Sequence, residues 1–201
     1  MESSPNRARL IASARQLFAQ HGYSGVSVDD IAAHASLTKG AVYYQFKDKA
    51  DIFAAACALI VSELVFAIAG ETMAETIHSV DEIVTGSARL FAAYEREDVR
   101  QLLLLDGPVV LGPSRWRAIM TPMHVELAEH ALGHLADAGR LDHTLVPTLA
   151  EIISGAFHQA VMIGSREGAT REDALSARRA YEHLVSGLLK VEFKTKETAR
   201  L

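Results

Sequence analysis

The sequence predicts an all-α protein: an N-terminal three-helix unit followed by a larger helical domain. Three observations lead there. Apolar residues recur at helical spacing along most of the 201 residues. No segment shows the two-residue alternation of a half-buried strand. Capping sequences, glycines and prolines stand where helices should start and stop. With 49% hydrophobic but only 6% aromatic residues, the core must come mainly from Ala, Leu, Val and Ile, which excludes a disordered chain.

Taken in order, Leu10, Ile11, Ala14, Leu17 and Phe18 form the apolar stripe of a first helix that Gly22 stops. Ser27 to Asp30 reads as a capping box opening a second helix, with Ile31, Ala32 and Ala35 inward. Thr38 caps a third short helix that ends at Tyr44 or Phe46. Asp48 starts a long fourth helix with Ile52, Phe53, Ala56, Leu59, Ile60 and Leu64 inward, and the pattern weakens from Gly70 to His78. Ser79 to Glu82 caps a fifth helix running to about Arg96. A short apolar segment from Val99 to Leu105 should end at Asp106-Gly107-Pro108. Pro113 opens a helix reaching Ala138 with Gly139 as its stop, and Pro122 inside it should kink or break it. Pro147 opens the next helix, to about Ser165, and Thr170 caps the last, ending near Glu192. A domain boundary falls near residue 48, dividing the chain into 1–47 and 48–201, with no flexible linker between.

The totals narrow the function. No uninterrupted apolar run approaches a bilayer crossing, the N-terminus lacks the layout of a secretion signal, and the single Cys57 cannot form an internal disulfide. These features lead us to expect a cytoplasmic protein without a membrane partner. Net charge is −5, but residues 1–50 carry +2 and the remainder −7. A mildly basic head on an acidic body can meet a polyanion at one end only.

The two short helices, 28–35 and 39–45, with a tight turn between them, have the layout of a helix-turn-helix. Such a motif lays its second helix in the DNA major groove while the first braces it. Ile31, Ala35, Leu37, Val42 and Phe46 supply an inner face with Leu10, Leu17 and Phe18. Lys39, Tyr43, Tyr44 and Gln45 are left outside, and Gly40 and Ala41 let backbone approach backbone. The competing reading packs Tyr43 and Tyr44 against the fourth helix and leaves Lys39 as an ordinary solvated charge.

The run from Ser27 to Lys49, with Leu17-Phe18 and Gly22-Tyr23 before it, resembles the DNA-binding signature of the TetR (tetracycline-repressor-like) family. The resemblance implies an all-helical homodimer that binds a palindromic operator in double-stranded DNA and releases it on binding a small-molecule effector. It implies phosphate contacts for Tyr43 and Lys49, groove-facing positions for Lys39, Tyr44 and Gln45, and helix-start hydroxyls near phosphates for Ser27 and Thr38. Ser36 stands where the family commonly has Gly, so it must take a left-handed conformation. Ala41 and Gln45 replace a common hydroxyl and a common His, which alters base preference: Gln45 can read an adenine edge and Ala41 a thymine methyl.

Beyond residue 48 no motif is as specific. Leu102 to Arg117 resembles a stretch found in a subset of these regulators, and Ile153 to Ala160 resembles the start of their dimer helix. The last two helices carry wide apolar faces, with Leu149, Ile153 and Phe157 on one and Tyr181, Leu184, Val185 and Leu188 on the other. They form either a dimer bundle or the chain's own core. An effector cavity is expected among helices 48–70, 79–96, 113–138 and 147–165. Its expected lining is Phe66, Phe91, Tyr94, Trp116, Met120, Met123, His124, His158 and Met162, although each of these is equally a core residue. This composition suits an apolar or amphiphilic molecule.

His130 and His134 are four apart, with Glu126 one turn earlier and His124 nearby, a spacing a divalent metal can use. The plainer reading is a polar, solvent-facing stripe, so no metal or cofactor is assigned. No nucleophile elbow, phosphate loop or paired-cysteine site points to an enzyme. The remaining rivals are an architectural DNA binder that needs no ligand and a small helical enzyme.

Overall fold

The structure is a computed structural model that describes the backbone of residues 4–74, 80–166 and 168–190, with side chains except at 69, 71–74, 80, 81 and 188–190. The described residues form α1 (Pro5–His21), α2 (Val28–His34), α3 (Lys39–Gln45), α4 (Lys49–Ala74), α5 (Val80–Ala93), α6 (Glu97–Val99), α7 (Gly107–Thr121), α8 (Leu127–Asp137), α9 (Val146–Ser165) and α10 (Arg171–Lys190). π-Helical turns at Arg100–Asp106 and Pro122–Glu126 and a 3₁₀ turn at His143–Leu145 join some of them. No strand occurs among the described residues.

The contacts divide the chain into two compact units, residues 1–66 with 92–123, and residues 67–91 with 124–201. The sequence suggested one boundary near 48. By contacts, α4 contributes Lys49–Phe66 to the first unit and its remainder to the second, and residues 92–123 group with 1–66.

In the first unit, Leu10, Phe18, Ile31, Val42, Ile52 and Phe53 are completely buried. The caps act as the sequence indicates. Ser27 and Asp30 exchange both capping-box bonds. Thr38 Oγ1 accepts from Ala41 N, and Gly22 ends α1 at φ 67°. Ser36 has φ 53°, the left-handed turn conformation expected of it. Cys57 lies in this core, and burial first, then the Asp106 carboxylate, push its thiol up to about 12, leaving it an inert packing group.

Residues 52–70 contain one charged residue, Glu63, and 49–68 has a hydropathy of 2.2, so this helix is long and apolar enough to cross a membrane. The same holds for 143–165, at 1.2. The sequence reading passed over both, because polar residues interrupt their apolar runs. In α4 the apolar excess goes into the protein core: half of the window is buried, and Glu63 accepts from Arg15 Nη1 at 2.7 Å. Arg15 Nε also donates to Asp98 at 2.9 Å, tying α1 to α6.

The chain does not break at Asp106-Gly107-Pro108, as the sequence suggested. It passes from the π turn directly into α7. In π register, Pro108 would serve the carbonyl five residues earlier, Leu103, but it has no N–H. Trp116 Nε1 bonds that carbonyl at 2.9 Å instead. A Cβ on Gly107 would lie 2.7 Å from Leu102 O and 2.9 Å from Trp116 Cδ1, so only glycine fits. A kink follows at Gly112 (φ 70°), and Pro113 restarts the helix. Pro122 produces not a break but the second π turn, and the carbonyl five residues before it, Arg117 O, accepts from Thr121 Oγ1 at 2.9 Å.

The second unit is built on the α9–α10 pair, with α8 against α9. Phe157 packs on Phe91, His124 and Tyr181, with ring centroids 4.5, 5.3 and 5.6 Å away. Gly139 ends α8 at φ 71°, and Thr170 with Asp173 forms the capping box of α10. The capping box expected at Ser79 to Glu82 lies partly outside the described residues, and α5 stops at Ala93 rather than Arg96.

Two stability predictions follow from this packing. Trp116→Phe keeps the ring but orphans the Leu103 carbonyl, and should lower unfolding free energy in urea by about 1–2 kcal/mol. Burial pushes the His124 pKa down to about 4, so the unfolded chain takes a proton there before the folded one does. Its contribution is therefore complete above the unfolded value near 6.5 and falls away as pH drops toward 4. Urea titrations from pH 7 to 4.5 should show His124→Phe losing less stability than the parent, with a difference of up to about 2–3 kcal/mol.

Candidate functional site

Two places carry functional side chains: the outer face of α3 and a cavity in the second unit.

The α3 helix is held from beneath by Val42, fully buried, and Phe46, while α1 and α2 pack behind it. Its other side is open. Tyr44 is 86% exposed and Tyr43 52% exposed, so neither is a packing residue against α4. Lys39 and Gly40 are exposed, and Ala41 and Gln45 partly so. Ser27 and Thr38 sit exposed at the starts of α2 and α3. Each hydroxyl is engaged in its cap, Ser27 Oγ donating to Asp30 at 2.6 Å and Thr38 Oγ1 accepting from Ala41 N. Lys39 Nζ lies 2.9 Å from Asp29, an exposed ion pair of little strength that a phosphate can displace.

Lys49 is different. Its ammonium donates to Tyr23 O at 2.9 Å and Val26 O at 2.8 Å, and lies 4.0 Å from the centre of the Tyr23 ring. The resemblance implied a phosphate contact. The geometry gives Lys49 an internal role as well, as a clamp held by two carbonyls and an aromatic face. Lys47, which sequence reasoning passed over, is exposed two residues earlier, where α4 begins, and can offer its charge outward.

The cavity, partly open to solvent, lies within the second unit. Its walls are mainly apolar, including Ile68, Ile83, Leu90, Leu127, Ile153 and Phe157. Polar groups come from Glu82, Ser87, His124, His130, Ser154 and Tyr181. Ser87 Oγ and Tyr181 Oη are 2.9 Å apart, and His134 Nδ1 is 2.9 Å from Glu82 Oε2. Desolvation holds both His124 and His158 below their usual pKa, so each presents a neutral imidazole.

Of the nine residues expected to line a cavity, only His124 does so. Tyr94, Trp116, Met120 and Met123 belong to the first unit, because α7 packs with the head. Phe66 is 81% exposed and Met162 is exposed as well. Phe91 stacks on Phe157 and Tyr181, and half-buried His158 lies on α9, neither being part of the lining. The lining residues that were missed come from α4, α5, α8, α9 and α10, and nothing in their spacing along the chain brings them together.

The residues expected at a dimer surface also divide. Ile153, Phe157, Tyr181 and Val185 are buried in the chain's own core, so they cannot meet a partner. Leu149 is half-buried and Leu184 53% exposed, while the Leu188 side chain lies outside the described residues. The exposed large apolar side chains on these two helices are Ile152, Met162, Leu175 and Leu184 among the described residues.

Comparison with known proteins agrees with this arrangement. Residues 10–56 match a model described as bacterial regulatory proteins, tetR family, and residues 80–188 match a tetracyclin repressor-like C-terminal domain. The transcriptional repressor BepR of Brucella suis is 28% identical over 101 residues, 49% of this chain and 48% of that protein. The regulator AcrR of Shigella flexneri is 42% identical over 52 residues, 26% of this chain and 24% of that one. The chain thus spans about half the length or less of these curated relatives. A TetR-family regulator of Pectobacterium atrosepticum superposes with a TM-score of 0.77 at 27% identity, covering 92% of this chain and 95% of that one. FadR of Bacillus subtilis, solved with stearoyl-CoA, has the same fold, with a TM-score of 0.70 at 18% identity, covering 90% and 98%. With the C-terminal match alone covering more than half of its residues, the chain belongs to the tetR family of bacterial regulatory proteins.

Proposed function

We propose that this protein is a transcription repressor that binds a palindromic operator as a homodimer and releases it when a small apolar or amphiphilic effector enters the cavity. The carrying observation is α3: a short helix seated on a buried inner face, with Lys39, Tyr43, Tyr44 and Gln45 turned outward. Phosphate contacts fall to Lys39, Lys47, Tyr43 and the cap hydroxyls, and base reading to Gln45, Ala41 and Tyr44. The reading part is residues 1–47, and the rest of the chain senses and dimerises. An operator is found on the chromosome, so the working compartment is the cytoplasm. The repressor BepR among the relatives supports this reading.

Dimerisation through α9 and α10 is supported by the exposed apolar side chains of Ile152, Met162 and Leu184, which water disfavours. A two-fold axis through that face would pair four helices and present α3 twice. The stearoyl-CoA bound to FadR supports an amphiphile as the effector class. Release is a population shift. The effector binds better to a conformer whose two reading helices are wrongly spaced for successive major grooves. The α4 helix carries the change, since it begins beside α3 and supplies Ile68 to the cavity wall. A hundredfold loss of operator affinity requires about 2.7 kcal/mol of differential binding.

Genome-wide footprinting should recover a palindromic site, and fluorescence anisotropy on that site tests the assignments. Lys39→Ala should weaken binding alike on all duplexes and reduce the salt slope by about one. Gln45→Ala should relax preference at one base position, losing about 1–3 kcal/mol of discrimination. Lys49→Ala should lower stability while leaving the salt slope nearly intact. Indifference of the Lys39 and Gln45 variants on the recovered site would refute the α3 interface. Ile152→Glu with Leu184→Glu should shift the mass measured in solution from dimer to monomer; an unchanged dimer would count against this face.

A further inference from the structure

Glu82 on α5 and His130 and His134 on α8 come together beside the cavity, whose wall includes Glu82 and His130, although they lie 48 residues or more apart between the two helices. One ligand atom from each lies within 4.8 Å of the others. The two imidazoles are one helical turn apart with ring centroids 4.5 Å from each other, edge to face. The Glu82 carboxylate is 5% exposed, and His134 Nδ1 approaches its Oε2 at 2.9 Å. A carboxylate has about four lone-pair directions, and His134 uses one. Burying a charge among the apolar walls of a cavity is costly unless a counter-charge arrives.

We propose that Glu82, His130 and His134 form a site for a borderline divalent cation of the Zn²⁺, Co²⁺ or Ni²⁺ class. Two imidazoles with one carboxylate select these ions over Mg²⁺ and Ca²⁺, which prefer all-oxygen shells. Tetrahedral zinc spaces N and O ligands by about 3.3 Å, following from bonds of about 2.0–2.1 Å. The 2.9 Å pair needs only to open slightly, and a rotation of the exposed His130 completes the set. A hydrogen bond joins Nδ1 and Oε2, and the cation would take its place. His130 gives the ion a route from solvent, and three protein ligands leave a fourth position for water or a solute oxygen at the cavity. The partner carboxylate is Glu82, across the helix pair, and not Glu126 on the same strip of sequence. This inference stands apart from DNA binding and does not depend on it.

The test uses full-length, tag-free protein stripped with a chelator. Zn²⁺ is titrated in competition with a chromophoric chelator, and Co²⁺ is followed by its visible d–d absorption. The expected result is one ion per chain, a Co²⁺ spectrum of low-symmetry four- or five-coordination, and no competition by Mg²⁺. His130→Ala and Glu82→Gln should each weaken Zn²⁺ binding by at least about tenfold, the lower end of what coordination-shell changes cost. His143→Ala, outside the cluster, should leave it unchanged. Since His134 and Glu82 are packed groups, circular dichroism and melting curves accompany every variant, and the exposed His130 gives the decisive substitution. Stoichiometry near zero, competition by Mg²⁺, or a His130→Ala affinity within a few-fold of the parent overturns the proposal.

Discussion

What α3 can do depends on the aromatic cluster beneath the head. Phe18, Tyr23 and Phe53 meet within 5.2–5.7 Å, two of the contacts edge to face, and join α1, the turn after it and α4. Lys49 closes the arrangement from above, bonding the Tyr23 and Val26 carbonyls while resting on the Tyr23 ring. An α3 of seven residues is too short to be stable by itself, so its orientation is set by this packing and by Val42 and Phe46 beneath it. A reading helix must be rigid because hydrogen bonds to base edges tolerate little displacement. The cluster supplies rigidity without using any outward-facing side chain.

Proline has an unexpected role elsewhere. Pro108 and Pro122 were natural places for helices to end, yet the chain passes from a π turn straight into α7 at Pro108 and continues through Pro122 in a second π turn. The physical requirement is that no carbonyl be abandoned, and in each case a side chain, Trp116 or Thr121, takes the oxygen that proline cannot serve. In this arrangement α7 belongs to the first unit, and the cavity is lined by residues of α4, α5, α8, α9, α10 and the second π turn. Irregular turns held by single side-chain bonds are also the places where a helix can shift register at low cost.

The second unit assigns its apolar groups to two different tasks. Along α9 the inward residues Ile153 and Phe157 build the core and cavity wall, while their neighbour Ile152 faces out. On α10, Tyr181 and Val185 point in, and Leu184 points out. A helix that is apolar around most of its circumference must be covered on both sides. One cover is the chain itself, and the other is the partner that the proposed dimer supplies. The same unit brings Glu82, on the cavity wall, within hydrogen-bond distance of His134.

The sequence by itself determined many of the features that depend on neighbours within a few positions. The capping boxes at Ser27 and Thr170, the stops at Gly22 and Gly139, the left-handed Ser36 and the outward Tyr43 and Tyr44 were all legible, because helix starts, stops and faces are local properties. Tertiary structure alone decided which of two apolar faces turns inward, where Lys49 sends its charge, which helices surround the cavity and that Glu82 joins His130 and His134. Periodicity gives the angle of a side chain around its own axis. What that side chain meets is set by packing between segments far apart in the chain, and spacing along one helix carries no record of it.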